Sequence, residues 1–346
     1  MKVLFSEIEN WEADYIKRQI GNQAELFFNE QKIIKSNLPE QKDFDAISVF
    51  VGSKIDKEVI DNFPNLKLIT TRSTGFDHID LDYAKQKGIQ VGYVPGYGDN
   101  TVAEYAFGLL LALSRKIYDG VDRIKETENF NFDGLRGFDL KGKTMGVLGT
   151  GRIGQHTIKI ANGFGMNVIA YDAFQKEELA QSLNFKYVSL DELLGQADVI
   201  SIHLPYIAPS TISGQASTHH LINKDNISKI KKGAILINTA RGAIVETDAL
   251  VQALQQGILG GAGLDVLEEE GVLQVERGMA FRDSLRSADM KTVLEDHVLM
   301  QMPNVLITPH NAFNTVEALK RILDTDINNI KFYLSKSQVS FPVPAK

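Results

Sequence analysis

Short apolar runs alternate with stretches in which apolar residues recur every three or four positions, and the alternation continues along most of the chain. Runs bounded by turn residues suit buried strands, and the three-to-four spacing suits helices lying on them. In the first part the expected strands are Val3 to Phe5, Ala24 to Phe28, Ala46 to Val51, Leu66 to Thr70 and Gln90 to Tyr93. Helices are expected between them, for example Glu12 to Ile20 and Leu81 to Lys87, the latter stopped by Gly88. A turn-rich break, Val94 to Asn100, precedes Thr101-Val-Ala-Glu104, a capping-box pattern opening a helix to about Tyr118 that is apolar nearly all round. Later strands are expected at Thr144 to Leu148, Val168 to Tyr171, Asp198 to His203, Ala234 to Asn238, Gly261 to Val266 and Val305 to Thr308. A last helix, Thr315 to Leu334, carries one apolar stripe from Val316 to Ile330. Strand–helix alternation of this kind implies parallel sheets covered on both faces, and a chain of 346 residues implies two domains.

The loop after Thr144–Leu148 changes this from a fold to a binding proposal. Gly149, Gly151 and Gly154 have the G-x-G-x-x-G spacing between a strand and a helix. The first glycine allows a tight turn, the second lets a pyrophosphate approach the backbone, and the third lets the helix pack against the strand. The helix N-terminus supplies N–H groups to the phosphates. Asp172 ends the next apolar run, where an acid can bind an adenosine ribose and would repel a 2′-phosphate. NAD is therefore expected rather than NADP. The first domain has no such loop and reads as a separate α/β unit.

Composition narrows the partners. A net charge of −7 speaks against nucleic acid and anionic membranes. The absence of cysteine excludes disulfides, thiolate metal sites and cysteine nucleophiles. Met1-Lys-Val-Leu-Phe-Ser-Glu has no signal-like apolar region, and the longest greasy stretch, Ala106 to Leu113, is too short to span a bilayer. A soluble cytoplasmic protein is the expectation.

Ligands of open α/β sheets sit beyond the carboxyl ends of the strands. Arg241, Glu270 and His310 each fall just past such an end. A guanidinium can hold a carboxylate in two places, an imidazole can move a proton near neutrality, and an acid can orient the imidazole. Beside a nicotinamide, that set suits reduction of a 2-oxo acid. Each also has a plainer reading: a strand-end ion pair for Arg241, a solvated acidic run for Glu268-Glu-Glu270, a structural histidine for His310. The other histidines show no metal-ligand spacing, and His219-His220 reads as an exposed segment start. No metal is expected.

The set Gly149-Thr-Gly-Arg-Ile-Gly154, Val199-Ile-Ser-Ile-His-Leu-Pro205, Ile237-Asn-Thr-Ala-Arg-Gly242, Gly263-Leu-Asp-Val266 and Thr308-Pro-His310 resembles the D-isomer-specific 2-hydroxyacid dehydrogenases. Arg72 to Asp80 extends the likeness toward the N-terminus, and Tyr97, Glu268–Gly271 and His310–Phe313 look most like D-lactate dehydrogenases. The resemblance implies two doubly wound parallel-sheet domains: a Rossmann NAD-binding domain, residues 100–310, inserted in a flavodoxin-like substrate domain, residues 1–99 and 311–346. It implies that Arg241 binds the substrate carboxylate and polarises the carbonyl, and that His310 is the proton donor, oriented by Glu270. Backbone groups at Thr74 and Gly75 would hold the carboxylate from the other domain, with Tyr97 and Phe313 walling the side-chain pocket of a closing cleft. Arg152 and Ile153 would meet the pyrophosphate, Asp172 the ribose, Leu204 and Pro205 the adenosine edge, and Thr239, Ala240 and Asp265 the nicotinamide. It also implies a homodimer built on the nucleotide domain.

Two segments depart from the family pattern. Residues 206–218 are long and Ser/Thr-rich, so the threonine facing cofactor is Thr211 or Thr218, with Thr211 favoured. Residues 271–302 form a long charged connection, a candidate for shaping the substrate mouth or a subunit contact. The expected reaction is pyruvate to D-lactate; a bulkier 2-oxo acid such as 2-oxoisocaproate is the nearest alternative. Glu270 disfavours formate oxidation, for which the family pairs its histidine with glutamine. Phosphoglycerate or phosphite oxidation stays open, although no extra cationic cluster is evident. An NAD-sensing corepressor-like protein is the alternative from another class.

Overall fold

The structure is a computed structural model and describes residues 1–209, 217–270 and 289–344. The chain divides into two compact units, residues 1–97 with 314–346, and residues 98–313. Each is described by itself.

Unit 1 is a five-stranded parallel sheet of β1 (Lys2–Ser6), β2 (Glu25–Asn29), β3 (Ala46–Val49), β4 (Leu68–Thr71) and β5 (Gln90–Gly92), in the order β2-β1-β3-β4-β5. This is the flavodoxin-like order. Helices α1 (Asn10–Ile20), α2 (Lys57–Ile60) and α3 (Leu81–Gln86) come from the first segment. The last helix, called α11 below (Val316–Lys336), closes the unit, and its N-cap Thr315 accepts the Ala318 N–H at 3.2 Å. Its stripe of Ile322, Leu323, Ile327 and Ile330 is buried against Phe5, Ile16 and Leu68. Each such side chain contributes roughly 1.5–3 kcal/mol of burial.

Unit 2 is a seven-stranded parallel sheet of β6 (Thr144–Leu148), β7 (Asn167–Tyr171), β8 (Lys186–Tyr187), β9 (Val199–Ile202), β10 (Ala234–Asn238), β11 (Leu259–Leu264) and β12 (Val305–Ile307). The order β12-β11-β10-β9-β6-β7-β8 is the doubly wound dinucleotide order with one strand added at the end. The sequence predicts six strands here. The missed one, β8, spans two residues, too short to show a period. Helices α4 (Asp99–Ser114), α5 (Ile117–Thr127), α6 (Arg152–Gly163), α7 (Glu177–Leu183), α8 (Leu190–Gln196), α9 (Thr247–Gln255) and α10 (Met290–Gln301) complete the unit among the described residues.

Two expectations need correction. The Thr101–Glu104 capping box is not used: α4 starts at Asp99, with Gly98 as its N-cap, and Thr101 is buried within the first turns. The helix also stops at Ser114, where Lys116 takes a left-handed turn (φ 54°) into α5. Glycines in β11 explain why α4 lies so close to the sheet. A Cβ on Gly263 would press on Leu109 and Ile237. Within the 271–302 connection, residues 290–301 form the helix α10, which buries Val293 and Leu299 and exposes Met290 and Leu294. No described helix is long and apolar enough to cross a membrane.

Candidate active site

The order of strands in unit 2 reverses between β6 and β9, and the glycine loop sits at that point. Gly149 takes φ 98°, and a Cβ there would run into the His203 carbonyl beyond β9. Gly154 lies so close beneath it that a Cβ would overlap the Gly149 carbonyl oxygen. Gly151 differs: nothing lies within 4 Å of where its Cβ would be, and it is the N-cap of α6 with no side-chain cap. The first and third glycines are demanded by packing, while the second leaves room for a phosphate at the helix N-terminus.

Asp172 stands at the end of β7 and is held in place. Its carboxylate accepts the Thr150 N–H (2.7 Å) and hydroxyl (3.0 Å), and the Phe174 N–H (2.8 Å). Tyr187, which the sequence does not single out, meets Thr150 Oγ1 at 2.9 Å and so braces this carboxylate from β8. Arg152 is exposed and pairs with Asp99 at 2.9 Å, and Ile153 is half-buried beside it. Leu204 packs on the core and Pro205 is exposed. Thr211 lies outside the described residues. Thr218 is buried, and its hydroxyl donates to the Pro205 carbonyl at 2.7 Å. His203, beneath the glycine loop, is held well below the ordinary imidazole range, at about 3, by burial. Its Nε2 lies near Ser201 Oγ (2.9 Å) and Thr157 Oγ1 (3.0 Å), so it is a neutral packing group.

The proposed chemistry lies at the ends of β10, β11 and β12, which are neighbours in the sheet. Past β10, buried Asn238 ties the turn that carries Arg241: it accepts the Ala240 N–H (3.0 Å) and donates to the Arg241 carbonyl (2.9 Å). Arg241 Nη1 donates to the Ala240 carbonyl at 2.8 Å. The next residue, Gly242, packs so tightly that a Cβ would overlap the backbone of Leu267 and Glu268. That contact sets the Arg241 turn directly against the loop carrying Glu270.

Past β11, Asp265 is 1% exposed and organises the turn that presents His310. Its Oδ1 accepts the Thr308 hydroxyl (2.5 Å) and the Asn311 N–H (2.8 Å), and its Oδ2 accepts the Ala312 N–H (2.8 Å). Burial, the largest influence, pushes this carboxyl above the usual range, against the pull of those bonds. Its observed oxygen contacts are all to the His310 turn. His310 itself sits at φ 53°, a left-handed conformation uncommon among non-glycine residues, and its N–H donates to the Asp265 carbonyl at 2.9 Å. Its Nδ1 lies 2.8 Å from Glu270 Oε1, leaving Nε2 as the nitrogen for chemistry. Thr239 Oγ1 is buried with no hydrogen-bond partner, Ala240 is half-buried beside it, and Phe313 is half-buried after the His310 turn.

The run Glu268-Glu-Glu270 has three distinct tasks, where its composition suggests a solvated loop. Glu270 holds His310. Glu268 accepts the Thr247 hydroxyl at 2.7 Å and meets His220 Nε2 at 2.6 Å. The Glu269 N–H donates to Asp296 at 3.2 Å. Asp296 is fully buried, and burial first, then the charges of Glu268 and Glu269, push its carboxyl up to about 7. Because the folded pKa is raised above the unfolded value, its stabilising contribution is full below about pH 4 and is lost as pH rises toward 7. The expected result is that Asp296→Asn raises the melting temperature relative to wild type by an amount that grows from pH 4 to pH 7 and then levels. A difference flat with pH in calorimetry or circular dichroism refutes it.

In unit 1 the described loops at the sheet's carboxyl edge hold Thr74, Gly75 and Tyr97. Thr74 is exposed and its hydroxyl donates to the Val94 carbonyl at 2.9 Å; Gly75 accepts from Ser73 at 2.6 Å; the Tyr97 carbonyl accepts from Arg321 at 2.6 Å. Beneath them Arg72 is fully buried, donating to the carbonyls of Ser6 (2.7 Å) and Glu7 (2.8 Å) and to Ser48 Oγ (3.0 Å). Ser48 Oγ donates in turn to Asp326 of α11 at 2.8 Å. The sequence shows Arg72 only as part of a motif, since nothing local says that a cation there is buried.

The unit 2 residues fit a dinucleotide: an open glycine over a helix N-terminus, a braced acid at the next strand end, and an unpartnered hydroxyl beyond β10. Comparison with known proteins agrees. The model of the D-isomer-specific 2-hydroxyacid dehydrogenase NAD-binding domain matches residues 107–312. A 2-hydroxyacid dehydrogenase homolog of Zymomonas mobilis is 37% identical over 337 residues, 95% of this chain and 96% of that protein. An aromatic 2-oxoacid reductase of Clostridium sporogenes is 36% identical over 297 residues, covering 84% and 83%. The structure of an Aquifex aeolicus D-lactate dehydrogenase complexed with NAD and lactic acid is 37% identical, covers 99% of this chain and 100% of that one, and superposes with a TM-score of 0.83. The protein belongs to the D-isomer-specific 2-hydroxyacid dehydrogenases, with NAD as its cofactor.

Proposed function

We propose that this enzyme reduces pyruvate to D-lactate, reversibly, with His310 as the proton donor. The observation that carries the reading is the 2.8 Å contact of His310 Nδ1 with Glu270, on a turn braced by Asp265. Bound NADH supplies the hydride that adds to C2. Arg241 binds the substrate carboxylate and draws charge from the carbonyl. His310 Nε2 gives its proton to the developing alkoxide oxygen, and Glu270 keeps the ring oriented while it is charged. Gly149, Gly151, Arg152, Ile153 and Gly154 hold the pyrophosphate, Asp172 the ribose, Leu204 and Pro205 the adenosine edge, and Thr239, Ala240 and Asp265 the nicotinamide, with Thr211 favoured over Thr218 as the threonine facing cofactor. Thr74, Gly75, Tyr97 and Phe313 complete substrate binding in the same proposal. The Aquifex relative, solved with lactic acid, supports a small substrate. The Clostridium relative supports a bulkier 2-oxo acid as the second reading.

The test is NADH consumption with pyruvate, glyoxylate, 2-oxoisocaproate and phenylpyruvate, repeated with NADPH. Pyruvate with NADH is expected to give the highest kcat/KM. A higher value for 2-oxoisocaproate or phenylpyruvate overturns the substrate, and tight NADH binding without turnover on any acid overturns the enzyme in favour of a sensor.

The enzyme is also proposed to be a homodimer built on unit 2. Helix α5 buries none of its residues and exposes Ile117, Tyr118, Val121 and Ile124, followed by Phe130 and Phe132 at 92% and 83% exposure. An apolar face of this kind is costly in water and usually has a partner. Charges of both signs flank it, Asp119, Asp122 and Glu126 with Arg123 and Lys125, so two copies of the patch can meet without like-charge repulsion throughout. In sedimentation, the double change Val121→Glu, Ile124→Lys is expected to shift a species of twice 38.4 kDa to one of 38.4 kDa. A wild-type monomer at micromolar concentration excludes the dimer.

A further inference from the structure

His219 and His220, which read as exposed in sequence, are half-buried beside the catalytic loops. Their rings stack with centroids 3.7 Å apart and planes 24° apart, and Tyr206 packs edge-on against His219 with its hydroxyl 3.5 Å from Nδ1. One possible ligand atom from each of His219, His220 and Glu268 lies within 4.8 Å of the others. We propose that these three residues form a site for a divalent transition ion of the zinc class, seated behind the loops that carry Arg241 and Glu270.

Two imidazoles and one carboxylate suit zinc and its neighbours rather than calcium or magnesium, which take oxygen ligands. Tetrahedral bonds of about 2.0–2.1 Å set ligand atoms roughly 3.3 Å apart, so an ion would have to draw together atoms now within 4.8 Å of one another and turn the stacked rings toward it. The residues around it act as outer-shell partners. Glu268 Oε2 accepts the Thr247 hydroxyl at 2.7 Å, while Oε1 faces His220 Nε2 at 2.6 Å, a contact that an ion seated between them would replace. The His220 N–H donates to the Ala243 carbonyl at 2.9 Å, which fixes the backbone that carries the two imidazoles. Since Glu268 is two residues from Glu270, and Ala243 two from Arg241, an ion here ties together the two loops that the proposed chemistry uses.

The test uses the full chain without an affinity tag, dialysed against chelator and titrated with zinc chloride in a calorimeter. One equivalent is expected to bind, with an affinity that falls as pH is lowered and a melting midpoint that rises with zinc concentration. His219→Gln keeps the His220–Glu268 contact and is the deciding variant; it is expected to weaken binding at least tenfold, with NADH binding retained as the check on folding. His297→Gln, a change at another histidine of unit 2, is expected to leave zinc binding as in wild type. Absence of stoichiometric binding by wild type, or equal affinities of wild type and His219→Gln, overturns the proposal.

Discussion

Replacing His310 by alanine is expected to lower kcat/KM by roughly 10²–10⁴-fold, the usual worth of a positioned proton donor. NADH affinity should change little, because the glycine loop and Asp172 that are proposed to hold the dinucleotide lie at the ends of β6 and β7 rather than β12. The comparison is between steady-state turnover and NADH fluorescence titration of the same preparation. Glu270→Gln provides a graded companion. An amide keeps a contact to Nδ1 at the observed 2.8 Å position but cannot stabilise a charged ring, so a smaller loss, chiefly in kcat, is expected. Turnover of His310→Ala close to wild type refutes the assignment of the proton donor. Loss of NADH binding together with turnover would instead show that the change had damaged unit 2.

Gly242→Ala is the second large effect, and it tests packing rather than chemistry. The added Cβ has no space: it meets the carbonyl carbon and oxygen of Leu267 and the Glu268 nitrogen, all backbone. Flexible side chains can move aside, but here two loops must separate. One of them carries Arg241, and the other leads to Glu270. Overpacking of this kind typically costs about 1–3 kcal/mol, so unit 2 should still fold. Activity should fall much further, by a factor on the order of 10² or more, because a displacement of about 1 Å between reacting groups is enough for that. Melting curves and kcat/KM measured together decide it. Loss of activity no greater than the loss of folded protein would mean that the contact serves stability alone.

Much of this was legible in the chain itself. Buried parallel strands are uniform apolar runs, so their number and order in sequence follow from pattern, and unit 1 has the five strands expected. The glycine loop was legible because backbone crowding leaves only glycine at Gly149 and Gly154, whatever else surrounds them. Arg241, Glu270 and His310 stood out because chemistry collects beyond strand ends. The edge strand β8 and the end of α4 at Ser114 were not legible, since a two-residue strand has no period and a single left-handed residue at Lys116 leaves no mark on composition.

What the amino-acid order determined alone is the alternation of elements, the dinucleotide loop and the residue types available for proton and hydride chemistry, because each depends on neighbours within a few positions. Only the tertiary structure decided that Asp265 braces the His310 turn, that Gly242 seats one loop on another, that Glu268 meets His220, and that Arg72 is buried against Ser6 and Ser48. Those partners are dozens of residues apart, and their pairing is set by strand order and close packing, which no local pattern encodes.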